Sequence, residues 1–177
     1  MKRAIALLII LISFSSCQEQ QKIGFIDRTK VINEYQVKKD IEEKYKPKND
    51  AYIKRRDSLV KQFDFDYQNA AVRAQSMSPK KQQELAQEFQ QRDAILRQQI
   101  QFEKNELEKA FTTEIDTAMS KFKKFVKDYG KSNGYTFILG TSDLTSSVMY
   151  GSEAVDLTEE VIKALNGDKK EEKKAQE

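Results

Sequence analysis

The chain contains 177 residues, of which 38% are hydrophobic and 33% are charged, a balance that suits long solvated helices better than a thick globular core. Histidine and tryptophan are absent and there is one cysteine, which excludes most catalytic triads and the common zinc sites. The formal net charge is +3, of which Lys2 and Arg3 contribute two units, so the remaining chain lacks the strongly basic balance of a nucleic-acid binder.

The first 16 residues have the features of an export signal. Two basic residues precede an apolar run that ends at Phe14, which is too short for a stable membrane anchor and has the length of a secretory core. A pair of serines then precedes Cys17, and this arrangement resembles a lipoprotein signal in which the cysteine is lipidated. We predict a signal peptide at 1–16, lipidation of Cys17 and a linker at 17–21. The alternative is an ordinary signal peptide with an incidental thiol.

The residue after the cysteine bears on the location. Gln18 stands where an aspartate would indicate retention at the inner membrane. By the same resemblance, we expect a bacterial envelope protein that is held at the outer membrane through its N-terminal lipid.

Two long helical patterns mirror each other around a central Ser-Pro step. Residues 22–27 read as a short, mostly buried strand, after which the apolar period becomes helical. Ser78 is a good N-cap for a second helix that begins with Pro79. We therefore predict an antiparallel helical hairpin at 28–133 with its tip near 76–79. Pro47 lies inside the first arm and is predicted to kink or interrupt it.

The apolar stripe of the second predicted helix is uneven. Arg92 and Glu103 interrupt the stripe, whereas its apolar density rises toward Phe111 and Tyr129. The pattern predicts that the base of the hairpin is firm and that the distal half is poorly sealed.

A small mixed region follows the hairpin. Residues 135–139 are aromatic and β-branched and predict a strand, and residues 147–150 predict a second short one. Residues 156–165 have the capping-box spacing and the apolar face of a helix. The charged tail at 167–177 is predicted to be disordered. The body is therefore expected to comprise 22–27 together with 134–166.

Three strands and one short helix cannot bury their own apolar surface, so this body should oligomerise through its sheet. The fold class is α+β, a long coiled-coil-like hairpin arm on a small oligomerisation sheet. The residues predicted to form this sheet are Ile23, Phe25, Tyr135, Phe137, Leu139, Val148 and Tyr150.

Residue patterns that would carry catalysis are missing. Carboxylate pairs such as Asp64 and Asp66 fall on predicted solvated faces. The glycines lie at the boundaries of predicted elements, whereas a phosphate-binding loop needs several glycines close together. We therefore expect a protein that is not an enzyme and that uses no metal and no cofactor.

The order of strand, hairpin, strands and terminal helix resembles the Skp/OmpH family of periplasmic chaperones. The resemblance is carried by KIGFIDRTKVINEY near the start and by GYTFILGTSDLTSSVMYGSEAVDLTEEVIKAL near the end. It implies a trimer of "jellyfish" shape, in which joined sheets carry three arms around a cavity. It also implies a periplasmic holdase that keeps unfolded outer-membrane proteins from aggregating without ATP.

Two functions remain open from the residues. A holdase should leave apolar arm residues accessible to a client, and the candidates for client contact are Phe63, Phe65 and Phe89. A structural envelope lipoprotein, acting as a coiled-coil spacer or scaffold, should instead seal these residues between its helices.

Overall fold

The computed structural model describes residues 21–142 and 148–174, with side chains in the second range described as far as Gly167. A helical hairpin stands on a body made of a two-stranded sheet and two shorter helices. The elements in chain order are β1 (Ile23–Asp27), α1 (Arg28–Glu34), α2 (Gln36–Ala74), α3 (Pro79–Ser132), β2 (Phe137–Thr141), a 3₁₀ turn (Glu153–Val155) and α4 (Thr158–Lys174).

The hairpin consists of α2, with 39 residues, and α3, with 54. At 1.5 Å per residue their lengths are about 59 and 81 Å. The turn occupies 75–78, and Pro79 fills the first helical position, where its missing N–H is not needed. The Gln82 side-chain amide reaches back to donate to the carbonyls of Ala74 (2.9 Å) and Met77 (3.1 Å). The tip is thus closed by hydrogen bonds from the first turn of α3.

The first arm is interrupted at a different residue from the one predicted. Pro47 lies within α2, which continues through it, so Pro47 does not interrupt the helix, and a kink there stays a prediction. The break lies at Tyr35, whose φ of −66° and ψ of 112° are extended. The Tyr35 side chain is buried against Phe122, with ring centroids 6.5 Å apart, so core packing offsets the lost helical hydrogen bonds.

The sheet has two parallel strands. Ile23 pairs with Phe137 and Asp27 with Thr141, in register along the whole length. The strand predicted at 135–139 therefore begins two residues late. Tyr135 stays outside because its N–H donates to the carbonyl of Gly130 (2.8 Å) and so completes the end of α3.

The second edge of β1 carries no full strand. Asp156 forms an isolated bridge with Phe25, and the Leu157 N–H donates to the Phe25 carbonyl at 2.8 Å. The predicted strand at 147–150 is wrong over its described residues, since Val148 to Tyr150 adopt no strand; Ser147 lies outside the described residues. The edge of β1 that such a strand would need is met by Asp156 and Leu157, directly before α4.

The hydrophobic core lies at the base of the hairpin. Val31 of α1 and Val161 of α4 are completely buried, and they lie within a cluster that includes Ile26, Ala118 and Phe122. Polar contacts fix the joint: Asp27 accepts from the N–H of Lys30 as the cap of α1 and donates its own N–H to the Thr158 hydroxyl (2.9 Å each). The apolar density of the base thus agrees with the uneven stripe of the sequence.

The last helix extends further than predicted. Its start lies at Thr158, two residues after the predicted one, and it continues past Gly167 to Lys174. Disorder was predicted from residue 167 onward, so this expectation is wrong for 167–174. Lysine and glutamate dominate the extension and have high helix propensity, which offsets the cost of a single glycine. Residues 175–177 lie outside the described part.

Candidate functional site: an apolar sheet face and an exposed arm

The sheet separates its side chains onto two faces. Gly24 and Ile26 point toward the core, and Ile138 follows the same alternation. The opposite set forms an outward apolar surface, which we call the sheet face; it consists of Ile23, Phe25, Phe137 and Leu139. Of these, Ile23, Phe137 and Leu139 are exposed, and Phe137 retains 54% of its accessible area. A short sheet with an uncovered apolar face is unusual in a stable monomer.

Three residues predicted for this sheet lie elsewhere. Tyr135 packs between Tyr129, with ring centroids 6.4 Å apart, and the ammonium of Lys22, 4.0 Å from its ring centre. Val148 and Tyr150 lie outside both strands. Tyr150 is exposed, and the next residue, Gly151, lies so close to the Phe25 ring that a Cβ there would overlap it. The 148–151 segment therefore borders the sheet face without belonging to the sheet.

A polar cluster joins the two helices of the hairpin, α2 and α3, near its base. Glu114 of α3 accepts from the ammonium of Lys44 (2.6 Å) and from the hydroxyl of Tyr45 (2.8 Å). These two hydrogen bonds hold the pKa of the Glu114 carboxyl below its usual value. The same contacts raise the pKa of Lys44 and of Tyr45, whose ring packs edge-on against Phe111 at 5.4 Å.

The two polar residues that interrupt the stripe of α3 have partners across the hairpin. Arg92 pairs with Asp66 (3.1 Å), and Glu103 pairs with Arg55 (3.2 Å). The distal half of the arm therefore relies on ion pairs where the base relies on apolar packing. Such exposed pairs stabilise weakly, which agrees with a distal half that is less firmly held.

Phe89 is the centre of the distal packing. It is only 5% exposed, and the rings of Phe63 and Tyr67 lie edge-on to it at 5.9 and 5.5 Å. The Arg92 guanidinium covers it at 4.9 Å from the ring centre. The prediction that Phe89 is available for client contact is therefore wrong in this structure, because the hairpin itself buries the ring. Phe63 is half-buried in the same cluster.

Other apolar side chains of the arm face solvent. Phe65, the third predicted contact residue, is 60% exposed, and Val72 lies two turns further along the same face of α2. Ile95 and Phe102 form an equivalent exposed pair on α3. We call these four residues the arm surface. Single exposed apolar residues are common, but two pairs with helical spacing give each arm helix an outward apolar strip.

Neither a candidate metal site nor a candidate membrane-spanning helix occurs in the described residues. Within residues 21–142 and 148–174, no group of three or more potential ligand side chains could hold a metal ion. None of the helices in the same part of the chain is long and apolar enough to cross a membrane. The predicted signal peptide, Cys17 and the predicted linker as far as residue 20 lie outside the described residues.

Residues 22–165 match the model of the family described as "Outer membrane protein (OmpH-like)". The chain belongs to the OmpH-like family. A solved structure from Caulobacter crescentus, described as a "putative outer membrane chaperone (OmpH-like)", has 12% sequence identity, covers 84% of this chain and 85% of its own, and gives a TM-score of 0.70. A search of curated proteins found no match. The α+β fold predicted for this OmpH-like chain, long helices on a small sheet, is confirmed.

Sequence reasoning missed part of the arm surface of this OmpH-like protein. Ile95 and Phe102 each lie one residue before a position that faces α2: Leu96 lines a groove with Leu59, and Glu103 pairs with Arg55. One residue corresponds to about 100° around a helix, so both side chains point away from the stripe axis and both are largely exposed. A helical wheel that tests each apolar residue against the stripe axis would have found them.

Proposed function

We propose that this protein is an ATP-independent holdase of the bacterial periplasm that binds unfolded outer-membrane proteins between helical arms. Membership in the OmpH-like family supports a chaperone role, and the similar solved structure carries that description. The observation that carries the proposal is the arm surface, which presents apolar side chains that the hairpin leaves uncovered. The proposed activity needs weak, non-directional contacts and no enzymatic step.

The proposed assembly is a trimer in which the sheet faces of three protomers join and the arms enclose a cavity. The uncovered sheet face supports an interface at this place, whereas the number three comes from the family resemblance. Lipidated Cys17 would tether the assembly to the outer membrane. Labelling with a radioactive fatty acid in a bacterial host tests this anchor: the full chain should be labelled, and Cys17→Ser should not.

The decisive experiment measures light scattering after a urea-denatured outer-membrane β-barrel protein is diluted into buffer with purified residues 18–177 and no nucleotide. Suppression that saturates near one client per oligomer is expected. Replacing Ile95 and Phe102 by serine should weaken the suppression. Gln68→Ser, also exposed on the arm, is the matched control and should leave it unchanged.

If the client aggregates as much as without the protein, although residues 18–177 are folded and oligomeric, the holdase proposal is refuted. The spacer or scaffold function would then be favoured. The sealed position of Phe89 is the observation that agrees with such a spacer. The exposure of Phe65 agrees with the holdase, because a pure spacer has no use for an outward phenylalanine.

A further inference from the structure

The break between α1 and α2 is not explained by its own sequence. Residues 28–46 contain neither proline nor glycine, and the residues around Tyr35 include good helix formers. Local propensity therefore favours one continuous helix through this point. The chain instead becomes extended at Tyr35 and resumes as a helix at Gln36.

A side chain of α4 forms hydrogen bonds to the backbone on both sides of this break. The Asn166 amide of α4 donates from Nδ2 to the carbonyl of Glu34 (3.0 Å) and accepts at Oδ1 from the N–H of Gln36 (2.9 Å). A helix break leaves carbonyls on one side and N–H groups on the other without helical partners. Asn166 thus binds one backbone group on each side of Tyr35, as a peptide group of the same helix would.

The surroundings make this contact one of the links between arm and body. Asn166 follows Leu165, which is buried in the core, so its backbone is fixed to the body. On the other side of the joint, α3 passes from arm to body without a break. A groove of about 620 Å³, lined by Tyr35, Val37 and Phe125 among others, flanks the joint between α2, α3 and α4. Packing therefore does not close the joint on that side.

We propose that Asn166 is a positioning residue that sets the angle between the arm and the body by holding the helix break at Tyr35. The arm angle determines how far apart neighbouring arms stand, and so which client sizes fit between them. This last consequence depends on the proposed holdase function and trimer, whereas the angle itself is a property of one protomer.

The test measures a distance between spin labels at Lys54→Cys on the arm and Glu153→Cys in the body, both exposed positions. Residues 18–177 contain no other cysteine, and dilution with unlabelled protein leaves one labelled protomer per oligomer. Asn166→Leu removes both hydrogen bonds at similar volume and should shift or broaden the distance distribution. Asn105→Leu, which removes an exposed amide contact within α3, is the matched control and should retain the wild-type distribution.

Asn166→Asp keeps the acceptor for the Gln36 N–H but cannot donate to the Glu34 carbonyl, so its distribution should be intermediate. Hydrogen exchange of the peptide around Gln36 gives a second readout: losing one hydrogen bond of ordinary strength speeds exchange by about tenfold in Asn166→Leu, and Asn166→Asp should retain most of the protection. If Asn166→Leu does not fold, the comparison of Asn166→Asp with Asn105→Leu decides.

A wild-type distance distribution in a folded Asn166→Leu protein would overturn the proposal. The measurement needs no client, so its failure is distinct from a failure of the holdase assay. With the angle changed, the light-scattering assay should show a different dependence on client size, while Asn105→Leu should follow the wild type.

Discussion

Replacing Phe137 by aspartate tests whether the sheet face joins protomers. Phe137 is 54% exposed in the single chain. A phenylalanine of roughly 200 Å² would therefore have about 110 Å² left to bury, which corresponds to about 3 kcal/mol per protomer at 25 cal/mol per Å². Aspartate forfeits this contribution and places a carboxylate where water would be excluded, which adds an unpaired charge to the cost.

The assay is the molar mass of residues 18–177 by light scattering over a series of protein concentrations. A loss of about 3 kcal/mol per protomer weakens association by more than roughly a hundredfold. We expect the wild type to be oligomeric and Phe137→Asp to be monomeric at the same concentrations. Circular dichroism should still show the helices, because Phe137 faces away from the core.

Phe65→Asp is the matched control, since Phe65 is similarly exposed, at 60%, but lies on the arm. It should keep the oligomeric mass and weaken the suppression of client aggregation. An unchanged mass for Phe137→Asp would refute the assignment of the sheet face as the interface. Dissociation of both variants would show that the effect is not specific to the sheet.

Three further changes test the arm and the body. Glu114→Gln should reduce the loss of stability on acidification. Hydrogen bonds from Lys44 and Tyr45 lower the pKa of Glu114, so its contribution to stability is present above the unfolded pKa and lost as pH falls through the folded one. Thermal unfolding at several acidic pH values measures this loss. Phe89→Ala should loosen the distal arm by about 3–5 kcal/mol, seen as faster hydrogen exchange there with the base unchanged. Gly24→Ala should lower the melting temperature by crowding Leu157, at a cost of about 1–3 kcal/mol, whereas Gly167→Ala should raise it slightly.

Each of these changes has an outcome that would contradict its reasoning. An identical fall in stability on acidification for Glu114→Gln and the wild type would assign the acid response to other groups. Uniformly faster exchange in Phe89→Ala would mean that the arm and base unfold together. A Gly24→Ala protein as stable as Gly167→Ala would mean that the sheet and α4 separate easily enough to admit a methyl group.

The regular parts of the fold follow from local signals in the sequence. The hairpin, its turn before Pro79 and the packing at its base are encoded by a long apolar period and by the Ser-Pro step, which are local signals. Ser78 marks the start of α3 although its side chain makes no capping hydrogen bond. The strand at Ile23–Asp27 and the helix after Asp156 are also local features. Their positions in the structure differ from prediction by no more than two residues at the start of each element.

The differences arise where distant residues decide the backbone. Tyr35 breaks the first arm because its ring enters the core and Asn166 binds the flanking backbone groups, more than a hundred residues away in the chain. No residue near Tyr35 signals the break. Phe89 was predicted to be accessible to a client, whereas the rings of Phe63 and Tyr67 on α2 pack against it and leave it only 5% exposed.

The sealing of Phe89 bears on how the proposed holdase would release its client. Because the arm buries its central ring by itself, it remains a folded rod when no client is present, and binding relies on outward residues such as Phe65 and Phe102. Each exposed phenylalanine can contribute only about 1.5–3 kcal/mol when fully covered, part of which is lost to ordering the client. Several such contacts hold an unfolded chain, yet each can dissociate separately. Folding of the client into the membrane can then compete with the arm without nucleotide hydrolysis.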